Sequence, residues 1–322
     1  MARTSLTCRV RPSSLTNYLR VKLFYSDTFE LPLPNNHRFP MSKYRLLRER
    51  IAASRLDVEL LIPPAATDEQ LLLVHSPEYL EKVKTGQLSK LEQRRIGFPW
   101  SEKMVERSRR STGATIAAGF AAAEHGMAFN LAGGTHHAFA DSGQGYCVFN
   151  DTCVAARLLQ SAGVITTALI VDCDVHQGNG TSAITNGDPS LYSFSMHCSK
   201  NFPFQKTDGD LDIALPPRTE DSAYLHHLTQ SLEQIGTRFT PDIVFYLAGA
   251  DPFEEDRLGL LGLSQQGLLE RDKFVFDYFR NRNTPIATCM AGGYADDINK
   301  IVDLHFATVT AGEARFRSDQ LF

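Results

Sequence analysis

Apolar residues in this chain gather in short runs and in helical stripes, and the two patterns alternate. The runs at 168–171, 244–247 and 286–290 are apolar apart from Thr288 and lead into Gly, Asp or other turn residues. Runs of that length read as strands buried on both faces, as in a parallel sheet. Further strands are predicted at 22–26, at the entry to Asn130 and at 191–197, the last being Leu-Tyr-Ser-Phe-Ser-Met-His. Between them, helical spacing predicts a helix from Ser42, as a cap, to about Ala53, burying Tyr44, Leu47 and Ile51. Helices are also expected at 67–74, 77–84, 101–124 (with an Ala/Gly-rich packing face), about 150–160, 220–239, 264–282 (Ser264 as cap) and 295–311. Strand and helix alternate throughout. The expected class is therefore α/β: a single domain with a mostly parallel sheet and helices on both faces.

The ends of these strands carry the chemistry. The 168–171 run breaks into a Gly-rich turn where Asp172, Asp174 and His176 occur, two residues apart and so on one side of an extended segment. A divalent metal site with an open position requires ligand types of this kind. A solvated acidic turn is the plainer reading of this stretch alone. The 244–247 run, however, leads through small residues to Asp251, Asn130 leads through Gly133 and Gly134 to His136 and His137, and the 286–290 run leads to Gly292, Gly293 and Tyr294. Open α/β sheets place their sites at the C-terminal ends of strands, and four such ends together make a site.

Composition narrows the class. Net charge is −4, which gives no basic footprint for direct nucleic-acid binding. No apolar run approaches the roughly 20 residues that cross a bilayer, so no membrane partner is expected. The six cysteines (8, 147, 153, 173, 198, 289) form no CxxC pair, which points to a reducing compartment such as the cytoplasm. Residues 1–20 differ: they hold four Arg, six Ser/Thr and no acid. They read as a basic extension before a domain at 21–322. A disordered tail, an upstream start codon or an organelle transit peptide would each give that composition.

The blocks GGTHHA (133–138), DCDVHQGNGT (172–181), GADPFEEDRLG (249–259) and GGY (292–294) resemble the signature blocks of the zinc-dependent histone deacetylase family, which has the arginase/deacetylase fold. The resemblance runs from about Leu23 to the C-terminus, and HQGNG with the EEDRLGLLGLSQQGLLERD stretch is most similar to class IV deacetylases and bacterial relatives. It implies that Asp174, His176 and Asp251 bind one zinc and that His136 and His137 move protons, oriented by Asp172 and Asn179. Class I enzymes carry Asp where Asn179 stands, so His137 is expected to protonate less readily here. Tyr294 would donate a hydrogen bond to the tetrahedral oxyanion.

The resemblance also implies that Gly145, Tyr146, Phe202 and Leu258 line the acyl-lysine tunnel. It puts Arg38 at the tunnel's inner end, near the product acid. Asp172, Asp174, His176, Ser195 and Met196 would hold a structural K+. Pro99 stands where class I enzymes keep an Asp that grips the substrate backbone, so peptide capture should differ. With that grip gone, and with Gly133, Gly134 and Gly292 as possible free space, longer acyl groups are expected to be favoured.

The implied activity is hydrolysis of an acyl group from N-acyl-lysine on a protein or peptide. Small acylated amines such as acetylpolyamines are the alternative substrate. Two other functions compete: ureohydrolase chemistry on the same fold, which needs a two-metal cluster with further Asp-rich motifs, and a non-catalytic protein that kept the fold.

Overall fold

A computed structural model describes residues 20–34 and 37–318. All of the basic extension except Arg20 lies outside them, and Arg20 pairs with Asp57 at 2.9 Å. The strands are β1 Val21–Phe24, β2 Val58–Leu61, β3 Met127–Asn130, β4 Ala168–Asp172, β5 Leu191–Cys198, β6 Leu211–Leu215, β7 Ile243–Leu247 and β8 Ile286–Cys289. The helices are α1 Ser42–Ala52, α2 Asp68–Leu71, α3 Pro77–Thr85, α4 Lys90–Ile96, α5 Glu102–His125, α6 Asp151–Ser161, α7 Asn179–Thr185, α8 Asp221–Gly236, α9 Gln265–Arg280 and α10 Ile298–Ser318.

All strand pairs are parallel, in the order β2-β1-β3-β8-β7-β4-β5-β6. The four strands whose ends carry the chemistry, β3, β8, β7 and β4, are contiguous at the centre. Their registers align, with Asn130 opposite Cys289, Cys289 opposite Leu247 and Leu247 opposite Asp172, so all four chains leave the sheet at one level.

Alternation along these strands divides the core in two. Leu169, Val171, Val244, Tyr246 and Phe129 face one apolar layer with α8, α9 and α10. Ala168, Ile170, Ile243, Phe245 and Ala128 face the other with α5 and α6. Each large side chain buried this way contributes roughly 1.5–3 kcal/mol. The small face of α5 lets it approach closely: a Cβ on Gly113 would lie 1.9 Å from the Pro64 carbonyl oxygen.

Several element limits differ from expectation. Ser42 does not cap α1; it is the first helical residue, Met41 occupies the cap position, and no side-chain cap bond forms. At 67–74 the helix is a single turn, Asp68–Leu71, started by a reciprocal Thr67–Gln70 capping box, and the chain then passes into turns. The last helix begins at Ile298, after the loop carrying Asp296, and runs to Ser318. Ser264 caps α9 as expected, accepting from Gly267 N at 3.0 Å. β2, β6, α4 and α7 had no counterpart among the predicted elements. β2 and β6 are edge strands and only half-buried, so their polar positions hide the strand pattern.

Candidate metal centre and acyl tunnel

The ligand loop forms because β4 ends at Asp172 and the next residues satisfy one another. Asp174 N donates to Asp172 Oδ1 (3.1 Å) and His176 N to Asp174 Oδ1 (2.9 Å). Two other loops lock onto this turn. Val175 N donates to Asp251 Oδ1 (2.9 Å), and Gly292 N to Asp174 Oδ2 (2.8 Å). Gly292 is required there, since a Cβ would lie 1.9 Å from Asp251 Oδ2.

As a result Asp174, His176 and Asp251 converge, with one donor atom from each within 4.8 Å of the others, all buried. His176 Nδ1 lies 3.0 Å from Asp174 Oδ1 and 3.2 Å from Asp251 Oδ2. Despite that approach, Asp251 Oδ2 has no hydrogen-bond geometry to any partner among the described residues. A buried carboxylate oxygen without a partner is costly. Burial, reinforced by the Asp174 charge, pushes the Asp251 carboxyl up to about 7. Burial disfavours a charged His176, yet Asp174 and Asp251 outweigh it and raise the ring to about 10. The buried carboxylates draw positive charge to this point. The cluster's N,O,O donor set and unused oxygen fit one divalent cation.

His136 and His137 flank this centre with ring centroids 4.1 Å apart. His136 Nδ1 lies 2.6 Å from Asp172 Oδ2, and His137 Nδ1 lies 2.8 Å from Asn179 Oδ1. Asn179 opens α7, whose Gly180 sits so close to the histidine loop that a Cβ would meet the Ala138 carbonyl oxygen at 2.4 Å. The two rings differ electrostatically. Burial opposes charge on both, but the Asp172 and Asp174 carboxylates raise His136 to about 9. For His137, burial and the charges of His136 and His176 outweigh the Asn179 bond and hold the ring well below its ordinary value.

Tyr294 lines both the pocket at the metal centre and the outer cavity. Asp256 holds its loop, accepting from Tyr294 N (2.6 Å), Leu258 N and Gly259 N (both 2.8 Å). From the other side the fully buried Lys43 Nζ donates to the carbonyls of Ala291 (3.2 Å) and Gly293 (3.3 Å), 5.2 Å from the Tyr294 ring centre. Neither Asp256 nor Lys43 was singled out from sequence. Asp256 stood within the recognised GADPFEEDRLG block, whereas Lys43 carried no signal beyond a lone Lys on an apolar helix face.

The outer cavity, about 550 Å³, is walled by Gly145, Tyr146, Phe202 and Leu258. Phe202 meets His137 edge-on, with centroids 4.9 Å apart. Gly145 has φ +55°, and a Cβ there would reach within 2.5 Å of His137. Tyr146 holds φ +67° between backbone bonds from Gly145 N to Arg95 O and from Tyr146 N to Ile96 O.

Arg38 is exposed and lines this outer mouth; it does not lie at the inner end. The cation that faces the inner space is Arg107 of α5. It lines a cavity of about 50 Å³ beside the metal pocket, and its buried Nε has no hydrogen-bond partner among the described residues. The glycines expected to leave acyl space serve close packing: a Cβ on Gly134 would meet Ala291, and one on Gly133 would meet Asn130 and Asp151.

Ser195 pairs in register with Asp172, and its Oγ lies 3.0 Å from His197 Nδ1; Met196 is buried beside it.

The histone deacetylase domain family matches residues 37–309. The chain belongs to the histone deacetylase family. It is a hydrolase acting on amide bonds. It is 42% identical over 283 residues to an uncharacterized protein of Picosynechococcus sp., covering 87% of this chain and 94% of that one. It is 29% identical to Histone deacetylase 2 of Arabidopsis thaliana (88% and 77% covered) and to the acetoin utilization protein AcuC of Staphylococcus aureus (90% and 79%). Among solved structures, a histone deacetylase homologue from Aquifex aeolicus superposes with a TM-score of 0.77 at 25% identity, over 91% of this chain and 84% of that chain. The eight-stranded parallel sheet is thus the deacetylase architecture.

Proposed function

We propose that this deacetylase-family hydrolase is a zinc-dependent N-acyl-lysine deacylase of class IV type. The observation that carries the reading is the convergence of Asp174, His176 and Asp251, with its unsatisfied Asp251 oxygen, at the base of a tunnel that His137 and Tyr294 both line. Bound there, zinc supplies Lewis acidity to the amide carbonyl and lowers the pKa of water. The remaining work falls to the chain's own side chains. His137, held neutral and facing the tunnel, takes the proton of the attacking water through Nε2, since Nδ1 is engaged by Asn179. His136 keeps a proton available for the departing amine, because Asp172 stabilises its charged ring. The Tyr294 hydroxyl, kept protonated by burial and by the Asp174 and Asp251 charges, donates to the developing oxyanion. Asp172, Asp174, His176, Ser195 and Met196 are the proposed holders of a structural K+.

Two details refine the substrate. An inner cavity of about 50 Å³ has room for roughly four water-sized groups, which favours short acyl groups over the long chains suggested by sequence. An acylated polyamine is the second reading; the cations at the tunnel mouth repel its remaining ammonium groups. Compartment is also part of the proposal. Five buried free thiols support a reducing one, taken as cytoplasm, with an organelle as the alternative if residues 1–20 are a transit peptide.

Tyr294→Phe tests the chemistry: kcat should fall roughly a hundredfold while metal content stays normal. A raised KM with unchanged kcat would make Tyr294 a wall of the tunnel and remove the oxyanion role. A series from acetyl- to myristoyl-lysine on one peptide, with free lysine and a polyamine beside it, tests the substrate. Rates should be highest among the short acyl-lysine peptides.

A further inference from the structure

The tunnel mouth carries a charge pattern that the chemistry at its base does not need. Arg38, Arg94, Arg95 and Lys200 are all exposed and line the outer cavity, and no carboxylate lines it with them. Among the described residues none of the four makes a side-chain hydrogen bond or ion pair. Arg257, next in sequence to the lining residue Leu258, is by contrast paired with Asp296 at 3.0 Å, and its Nε also donates to Tyr294 O. The chain as a whole is negative, at −4, so the positive field is a local concentration.

Three separate parts of the fold supply these cations: the loop before α1, the last turn of α4 and the turn after β5. Helix-end electrostatics account for part of the pattern, since Arg94 and Arg95 sit where a helix C-terminus favours positive charge. They do not account for Arg38 or Lys200. The rim is also tied to the tunnel wall, because the Arg95 carbonyl accepts the Gly145 N–H. Phe204, 90% exposed, and Leu260, 46% exposed, add apolar surface beside the cations.

We propose that this mouth is a recognition surface for acidic peptide: it selects acyl-lysines flanked by Asp or Glu within a few residues. The inference rests on the deacylase reading above and deepens it. Carboxylates on the substrate replace the missing counter-charges, and nearby aliphatic side chains cover Phe204 and Leu260. Exposed pairs act mainly on encounter and selectivity, so the effect belongs in kcat/KM and depends on salt.

The test uses the full zinc-loaded chain and nine-residue peptides with one central acyl-lysine, acetyl in one set and octanoyl in another. The flanks are Asp/Glu, Ala or Lys. Acidic flanks should exceed basic ones in kcat/KM by roughly tenfold at low salt, several exposed pairs acting together. That ratio should shrink toward one at high salt. Arg94→Glu with Arg95→Glu should invert the preference; Arg94→Ala with Arg95→Ala, the milder change, should reduce it. A wild-type ratio at or below one, or a preference indifferent to salt, overturns the rim proposal and leaves the deacylase reading standing. Turnover of an acetylated polyamine with none of any peptide overturns both.

Discussion

Two clusters of buried charge meet at the C-terminal edge of the sheet, and they are built to opposite specifications. In the first, Arg271 and Asp272 neutralise each other, with Nε to Oδ1 at 2.9 Å. The ion pair's own atoms are well used: Tyr246 and Thr308 hydroxyls donate to Asp272 at 2.5 and 2.6 Å, and Arg271 Nη1 donates to the carbonyls of Gly249 (2.7 Å) and Cys173 (3.3 Å). In the second, Asp172, Asp174 and Asp251 are all buried among histidines, and Asp251 Oδ2 is left without a hydrogen bond. The first cluster is balanced by its own charges, whereas the second leaves a buried carboxylate oxygen free for the proposed cation. The two are joined, since Cys173 lies between two site carboxylates and Gly249 lies two residues before Asp251, so the finished cluster clamps the unfinished one from beneath.

The largest effect on stability should come from the finished cluster. Arg271→Met leaves Asp272 buried and uncompensated, which should cost about 3–5 kcal/mol in urea denaturation. Asp251→Asn, measured on metal-free protein, should cost little or even stabilise, because it removes a carboxylate that burial and Asp174 already disfavour. Equal losses from the two substitutions would erase the distinction between the clusters.

A pH series separates them further. In metal-free protein His136 and His176 have folded pKa values near 9 and 10, above the ordinary 6.5. Groups raised in this way contribute stability that is fully present below about pH 6.5 and is lost as pH rises through the folded values. Chelated protein should therefore lose melting temperature between pH 7 and 9, while zinc-loaded protein, whose ligands have already given up their protons, should lose much less. Parallel curves would mean that the metal does not sit on these groups.

The smallest expected change is at Asn179. Asn179→Asp places a carboxylate on His137 Nδ1 and should raise that ring's pKa by roughly one unit or more. Because the base must be neutral to act, the acidic limb of kcat/KM should move upward in pH by the same amount. An unmoved limb would take the base role away from His137.

The central strands and the site at their ends were legible in the sequence because burial on both faces leaves nearly continuous apolar runs, and because each run leads into a turn that carries a polar site residue. Edge strands β2 and β6 were not, since half their positions face solvent. Nor could the sequence place its cations. Arg107 lies within Glu-Arg-Ser-Arg-Arg-Ser, a stretch that reads as a solvated helix face, and only the packing of α5 turns that one guanidinium inward. Arg38 sits in a Pro-punctuated loop whose path, set by the chain it packs on, carries it to the mouth instead of the base. Lys43 is buried by the loop it supports, a contact 248 residues away in sequence. The GADPFEEDRLG block marks the acidic loop, but only the folded chain shows that Asp256 gathers three backbone donors around Tyr294 and Leu258.

Elemental analysis of the purified chain, paired with turnover, tests the central claim most directly. The wild-type chain should carry about one zinc, lose hydrolysis on chelation and regain it with zinc, while Asp174→Ala should lose both metal and rate. Two tightly bound manganese ions with urea released from a guanidino substrate, or an Asp174→Ala chain that keeps its metal and full rate, would contradict it.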